Sequence, residues 1–247
     1  DHKGSIWIGT KGDGIIIATP LQKNKYALNY HMHETTNLHS LSDNNVYSMC
    51  EDKYKRMWIA TFGGGVNYVN LNTNDYIFYH SANSLKKYPI NLCSRARYVI
   101  SDSIGRIWIG TTNGLLLTDV TSTRAEDITF KHYTYDDTNP NSLSNNNIHQ
   151  ILFSKINGNI YLATFGGGLN KAIQDHNGNL LFQAYTTQNH LPANVILSIE
   201  EDNKGNLWLA TEEELCKFNP STKEVITYSS WDLPTYFKFN EGEALHT

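Results

Sequence analysis

At 247 residues, with 40% hydrophobic and only 18% charged side chains, the chain is long enough to bury a large core. Its net charge of −4 argues against a nucleic acid or an anionic membrane held by bulk electrostatics. Three cysteines at 50, 93 and 216 have no metal-ligand spacing and an odd count fits no disulfide framework, so buried thiols are expected.

The chain opens on Gly4-Ser5-Ile6-Trp7-Ile8-Gly9-Thr10, and this phrase returns along the sequence. The copies are Lys55 to Thr61, Gly105 to Thr111, Gly158 to Thr164 and Gly205 to Thr211. Their aromatic residues, at positions 7, 58, 108, 161 and 208, are separated by 51, 50, 53 and 47 residues. A period near 50 predicts an array of equivalent supersecondary units. Apolar-Trp-apolar without alternation predicts a strand buried on both faces, fed by a tight turn at the preceding glycine. The Trp is expected to fill the wedge between two sheets, and the small residue after it to let a neighbouring sheet approach.

Each period divides into four strands, A to D. In the second unit these are Val46–Cys50, Met57–Thr61, Val66–Asn70 and Tyr76–Tyr79. The third gives Ala96–Ile100, Ile107–Thr111, Leu115–Thr118 and Ile128–Tyr135; the fourth Ile148–Phe153, Ile160–Thr164, Leu169–Ala172 and Leu180–Thr186. The fifth gives Ile196–Ile199, Leu207–Thr211, Leu215–Phe218 and Glu224–Tyr228. Four-stranded antiparallel units at this period predict an all-β propeller in one domain, 1–247. Its blades are placed at about 1–35 with 236–247, 44–80, 93–135, 146–187 and 194–230. The first unit begins in the A–B turn, so its strand A is expected from the tail, residues 236–247, giving four whole blades and one composite. The alternative is a fragment of a longer propeller. No secretory leader or membrane-spanning run is visible, which says nothing about a parent protein that begins earlier.

These phrases resemble the two-component regulator propeller repeat of the periplasmic sensor regions of hybrid histidine kinase/response regulators. Asn44-Asn45-Val46-Tyr47-Ser48-Met49-Cys50-Glu51-Asp52 and Ile196-Leu197-Ser198-Ile199-Glu200-Glu201-Asp202 carry the strand-A half of the pattern. Asn141 to Asn147 and Phe239-Asn240-Glu241-Gly242 also fit it. Lys55 in place of the turn glycine and Ser154-Lys155-Ile156 in place of an Asp-led turn depart from it. The resemblance implies seven blades, about two more repeats than are present, and a parent with a second propeller, a β-sandwich, a membrane span and kinase modules. It further implies periplasmic placement and recognition of oligosaccharides.

The residues offer little for catalysis. Gly63-Gly64-Gly65 and Gly166-Gly167-Gly168 join two strands and lack the Gly-Lys-Ser/Thr that grips phosphate, so they are expected to be tight connections. His31 and His33 are read as a surface pair on one face of an outer strand, without a third ligand for zinc. Glu212-Glu213-Glu214 is expected as a solvated loop rather than a glycosidase pair. Trp231-Asp232 occurs once, after strand D, and is no WD repeat. No catalytic residue, metal ligand or cofactor is therefore assigned.

A binding site is easier to argue. In a propeller one mouth of the channel is built from the D–A and B–C connections, so residues opening strand A should converge there: Asn45, Arg95, Asn147 and Asn194. Phe62 and Phe165, directly after the strand-B Thr, join them. Amide, guanidinium and aromatic groups around a concavity suit a sugar. The leading expectation is thus a non-enzymatic module sensing an oligosaccharide or another small extracellular ligand. A protein-interaction or dimerisation module, with a homodimer as one form, is the alternative, and a propeller lyase or lactonase ranks below both.

Overall fold

Four of the five copies of the repeated phrase form the second strand of an antiparallel sheet, and the first copy forms an edge strand, in the computed structural model, which describes residues 1–22, 24–73, 75–119 and 124–229. β1 (Ile6–Gly9), β2 (Ile15–Pro20) and β3 (Tyr26–His31) make the first sheet; β4 (Val46–Glu51), β5 (Arg56–Thr61) and β6 (Gly65–Asn70) make the second. β7 (Ala96–Ser101), β8 (Arg106–Thr111), β9 (Gly114–Asp119) and β10 (Lys131–Tyr133) form the third. β11 (Ile148–Phe153), β12 (Ile160–Thr164), β13 (Leu169–Gln174) and β14 (Leu180–Tyr185) form the fourth. β15 (Ile196–Glu201), β16 (Leu207–Thr211), β17 (Leu215–Phe218) and β18 (Val225–Tyr228) form the fifth. Strands follow one another in chain order across each sheet, the up-and-down connectivity of propeller blades. The expected all-β class and blade architecture are both present.

The chain divides into two compact units. One comprises Asp1–Thr111 and Leu116–His132; the other comprises Thr112–Leu115 and the described residues from Tyr133 onward.

Two outer strands differ from expectation. Tyr76–Tyr79 is reduced to a single bridge between Tyr68 and Tyr79, leaving the second sheet three-stranded. Tyr79 exchanges both backbone hydrogen bonds with Tyr68, at 2.9 and 3.0 Å, but the next amide in register, that of Ile77, turns back to the Asp75 carbonyl at 3.1 Å instead of extending the ladder along strand C. The strand expected over Ile128–Tyr135 shrinks to β10, because Ala125–Asp127 takes a 3-10 turn first. A one-turn helix, α1 (Ile90–Cys93), precedes β7. The proposed closing strand, residues 236–247, and Trp231-Asp232 lie outside the described residues, as does any test of the composite first blade.

The aromatic markers behave as the spacing requires. Trp58, Trp108 and Tyr161 are fully buried, and Trp7 and Trp208 are half-buried. In the first unit, Trp7, Ile15 and Ile17 of the first sheet pack on Met57, Ile59, Val69 and Phe78 around the second. Trp58, Ala60 and Tyr68 on the other face of the second sheet meet Val99, Ile107 and Ile109 of the third. In the second unit Tyr161, Ala163 and Leu169 pack on Ile196, Leu207 and Leu209. Burial thus accounts for both faces of strand B being apolar in the second to fifth sheets, whereas Ile6 and Ile8 of the first are exposed. The small residue has the expected use at Gly9, where a Cβ would collide with Val46 of the next sheet.

One carboxylate organises each A–B turn. Asp1, Asp52, Asp102 and Asp202 accept from the indole Nε1 six residues on, at 2.9, 2.9, 2.9 and 3.2 Å, and also from turn amides. Burial opposes the charge of Asp202, but the Asn206, Lys204 and Trp208 donors outweigh it and hold the carboxyl at about 2, below its usual 3.8. In the fourth sheet, where Ser154 replaces that Asp, the carboxylate comes from the next sheet: Glu201 accepts from the Ser154 hydroxyl and from the Lys155 amide at 2.9 Å. The aromatic there is Tyr161, whose hydroxyl accepts from Asn157 Nδ2 at 3.4 Å.

The turn residue before each strand B has positive φ: Gly4 +83°, Lys55 +63°, Gly105 +90°, Gly158 +71° and Gly205 +78°. Lys55 holds a backbone conformation that glycine adopts freely. Its Nζ lies 3.8 Å from Glu51 at a side chain 45% exposed, a contact worth little. Lys55→Gly is therefore expected to be neutral or stabilising in thermal melts; a loss above about 1 kcal/mol would assign the lysine a compensating contact.

Two smaller readings are settled by the same geometry. The His pair does not share a strand face: β3 ends at His31, which packs on Tyr76 and Phe78 at 4.7 and 5.5 Å, while His33 lies beyond it with Nδ1 2.8 Å from the Leu41 carbonyl. Cys93 and Cys216 are buried and Cys50 half-buried, all as free thiols. Among the described residues no group of three or more His, Cys, Asp or Glu is placed to hold a metal ion.

Candidate functional site

The site is built where each B–C loop meets the residues that open the next strand A. The strand-B threonine closes the loop: Thr10, Thr61 and Thr164 donate to the carbonyls of Gly14, Gly65 and Gly168 at 3.0, 2.9 and 2.7 Å. Buried Asn67 and Asn170 on strand C each grip the incoming connection, accepting from the Ser42 or Ser144 amide and donating to its hydroxyl. Those hydroxyls donate to Gly64 and Gly167. A Cβ on either glycine would collide with the serine, so close approach, rather than phosphate binding, requires the glycine runs.

The loops of neighbouring sheets are then tied by backbone. Isolated bridges join Lys11 to Asn45, Phe62 to Arg95 and Phe165 to Val195. Asn45 and Asn147 occupy equivalent places, their carbonyls accepting from the amides of Phe62 and Phe165 at 2.9 Å. Asn194 is offset from them by one residue. Its carbonyl accepts from Gly166 and Gly168, as that of Asn44 accepts from Gly12 and Gly14. Its side-chain oxygen accepts from the Thr187 amide at 2.9 Å, as those of Asn44 and Asn146 accept from His33 and Tyr135. Asn194 is therefore a clasp between successive sheets, and Val195 holds the position that the spacing assigned to it.

Four side chains at this end were not legible in the sequence. Each first strand carries a β-bulge, between Val46 and Ser48, Ala96 and Tyr98, Ile148 and Gln150, and Ile196 and Ser198. The extra residues are Tyr47, Arg97, His149 and Leu197. A bulge re-aims one side chain while its neighbours stay paired. Tyr47 stacks on Phe62 with centroids 5.0 Å apart and planes at 25°. Arg97 lies over the Phe62 ring at 5.1 Å and Arg95 at 5.5 Å. Lys11 lies over Tyr47 at 5.3 Å. His149 meets Phe165 at 5.2 Å in the second unit.

The six predicted residues thus fall into two groups. In the first unit Asn45, Phe62 and Arg95 come together with Lys11, Tyr47 and Arg97. In the second, Asn147 and Phe165 stand with His149, beside the clasp at Asn194. The amide of Asn45 is engaged in its own turn, donating to Asp43 at 3.1 Å. The side-chain oxygen of Asn147 is buried and has no hydrogen-bond partner among the described residues. A cleft of about 660 Å³ in the first unit runs along β1 and is lined by Trp7, Val46, Tyr47, Ser48 and Met49 among others. Among the described residues β1 pairs only with β2.

Bulged first strands, interlocked B–C loops and up-and-down sheets define an array of β-propeller blades. The family model for the two-component regulator propeller matches residues 40–63 and 190–213. The chain carries two-component regulator propeller repeats. It is 27% identical over 208 residues to a histidine kinase, P4, of Formosa agariphila, covering 83% of this chain and 14% of that protein. It is similar to the extracellular domain assigned to a hybrid two-component system of B. thetaiotaomicron, at 25% identity and a TM-score of 0.66, covering 96% of this chain and 28% of that one. This chain therefore spans a minor part of both relatives. Virginiamycin B lyase from Staphylococcus aureus, at 15% identity and a TM-score of 0.63 over 95% of this chain and 68% of that one, shares the fold.

Proposed function

We propose that this chain is part of the extracytoplasmic, periplasmic sensor region of a hybrid two-component system, and that it binds an oligosaccharide without turning it over. The observation that supports this reading most is the two-component regulator propeller repeat itself, together with relatives from two-component signalling. The site adds chemistry of the right kind. Aromatic rings, amides and guanidinium groups gather on loops held by a rigid sheet scaffold, which suits a ligand with apolar faces and hydroxyl edges. No catalytic or metal-binding role is assigned to any residue. The natural partners in this reading are the further propeller and β-sandwich domains of a longer parent.

Calorimetric titration of this chain and of a longer segment of its parent against a glycan panel tests the proposal. Saturable binding that Phe62→Ala weakens at least tenfold is the expected result. Absence of binding by both proteins would overturn the oligosaccharide, and release of a cleaved product would overturn the non-enzymatic reading.

A second reading, a protein-interaction or homodimerisation module, draws on the first sheet. Ile6 and Ile8 are 51% and 44% exposed, whereas Met57 and Ile59, Ile107 and Ile109, and Leu207 and Leu209 at equivalent positions are buried. Leu28 and Tyr30 extend that apolar face across β3, since Ile6 pairs with Ala18 and Ala18 with Leu28, while Ile8 pairs with Ile16 and Ile16 with Tyr30.

A further inference from the structure

We infer that the first unit's share of this site selects acidic sugars, those bearing carboxylate or sulfate groups; the inference rests on the oligosaccharide-sensing reading above. The chain as a whole is acidic, at −4, yet three cations are gathered on one aromatic pair. Lys11 comes from the first B–C loop, Arg95 opens the third sheet, and Arg97 is the bulge residue of β7. Tyr47, the bulge residue of β4, and Phe62, from the second B–C loop, form the stack between them.

This arrangement has a physical direction. Like charges brought together on one surface repel, and that cost is relieved when an anion joins them. Lys11 and Arg95 are both exposed, and neither makes an ion pair or hydrogen bond among the described residues. Their ring contacts orient the cations while leaving N–H donors open to a ligand, and guanidinium in particular matches carboxylate and sulfate oxygens with paired donors. A single exposed ion pair contributes little, so selectivity needs several to act on one ligand. The cations are divided between the two rings, Lys11 on Tyr47 and the arginines on Phe62. That division fits an oligosaccharide charged on successive residues better than a single charged sugar. The bulges make the cluster possible, because regular alternation would not bring Tyr47 and Arg97 to the same loop ring.

The test is calorimetry on the whole chain with three probes of matched length: an oligogalacturonate, a sulfated galactan fragment and a neutral galactan fragment. Binding of either acidic probe at least tenfold tighter than the neutral one, weakened by added sodium chloride, is expected, and the two acidic arms tell carboxylate from sulfate recognition. Lys11→Ala with Arg95→Ala should reduce acidic binding at least tenfold; circular dichroism and the melting temperature should be unchanged, since both side chains are exposed. Equal binding of neutral and acidic probes would overturn the charge inference and leave the sensor reading standing. Acidic binding untouched by the double variant would overturn the site. Failure of all three probes, where the same protein binds another glycan through Phe62, would also overturn this inference alone; failure against every glycan overturns both.

Discussion

Trp108→Ala is expected to destabilise the chain by about 3–5 kcal/mol, the usual range for truncating a fully buried large aromatic. The indole is 1% exposed, and Arg106 lies over it at 5.2 Å. Its removal also strips a donor from Asp102, at 2.9 Å, whose carboxylate is 3% exposed. The loss should be graded along the repeat. Trp58→Ala should resemble Trp108→Ala, whereas Trp7→Ala and Trp208→Ala, at half-buried rings, should cost less. Urea melts of the four variants measure the series. Equal costs at all four would show that the exposed flank of the first sheet is covered in solution.

The second large effect lies at Asp52. Its side chain is fully buried and accepts from Arg56 Nε at 2.7 Å and from Trp58 Nε1 at 2.9 Å. Its other oxygen caps the turn through the amides of Tyr54 and Arg56 at 2.8 and 3.0 Å. Asp52→Ala removes the buried carboxylate to which Arg56, 8% exposed, donates, and breaking one partner of a buried ion pair in general costs about 3–5 kcal/mol. Replacing both partners at once, with Asp52→Ala and Arg56→Met, should recover part of that loss, because the buried guanidinium is removed together with the carboxylate. A double variant no more stable than Asp52→Ala in the same melts would place the cost in the turn amides instead.

Much of this architecture could be read from residue order alone. The Trp-centred phrase marks a strand that must bury both faces, so its period carried the blade count and most strand limits to within a residue or two. What escaped was decided by contacts distant in sequence. Tyr76–Tyr79 has strand composition, yet the Ile77 amide turns back to Asp75 and the ladder stops after Tyr79. The bulges left no trace because the first strands mix polar and apolar residues without regular alternation, and an inserted residue does not disturb a pattern that has none. The one-residue offset at Asn194 was open to counting: Asn45, Asn147 and Val195 each directly precede the first residue of a strand A. Asparagine at both places in the second and fourth sheets hid the difference. Phe62 and Arg95 were chosen for their place in the loops and do meet, but Lys11, Tyr47 and Arg97 entered only with the three-dimensional register.

The bulges have one more consequence. Residues 47, 97, 149 and 197 are additions to strands whose flanking pairs close without them. A change of side chain there leaves the ladder pairs on either side of it in register. On the sensor reading proposed above, ligand preference changes by substitution at a few surplus positions while the paired scaffold stays constant.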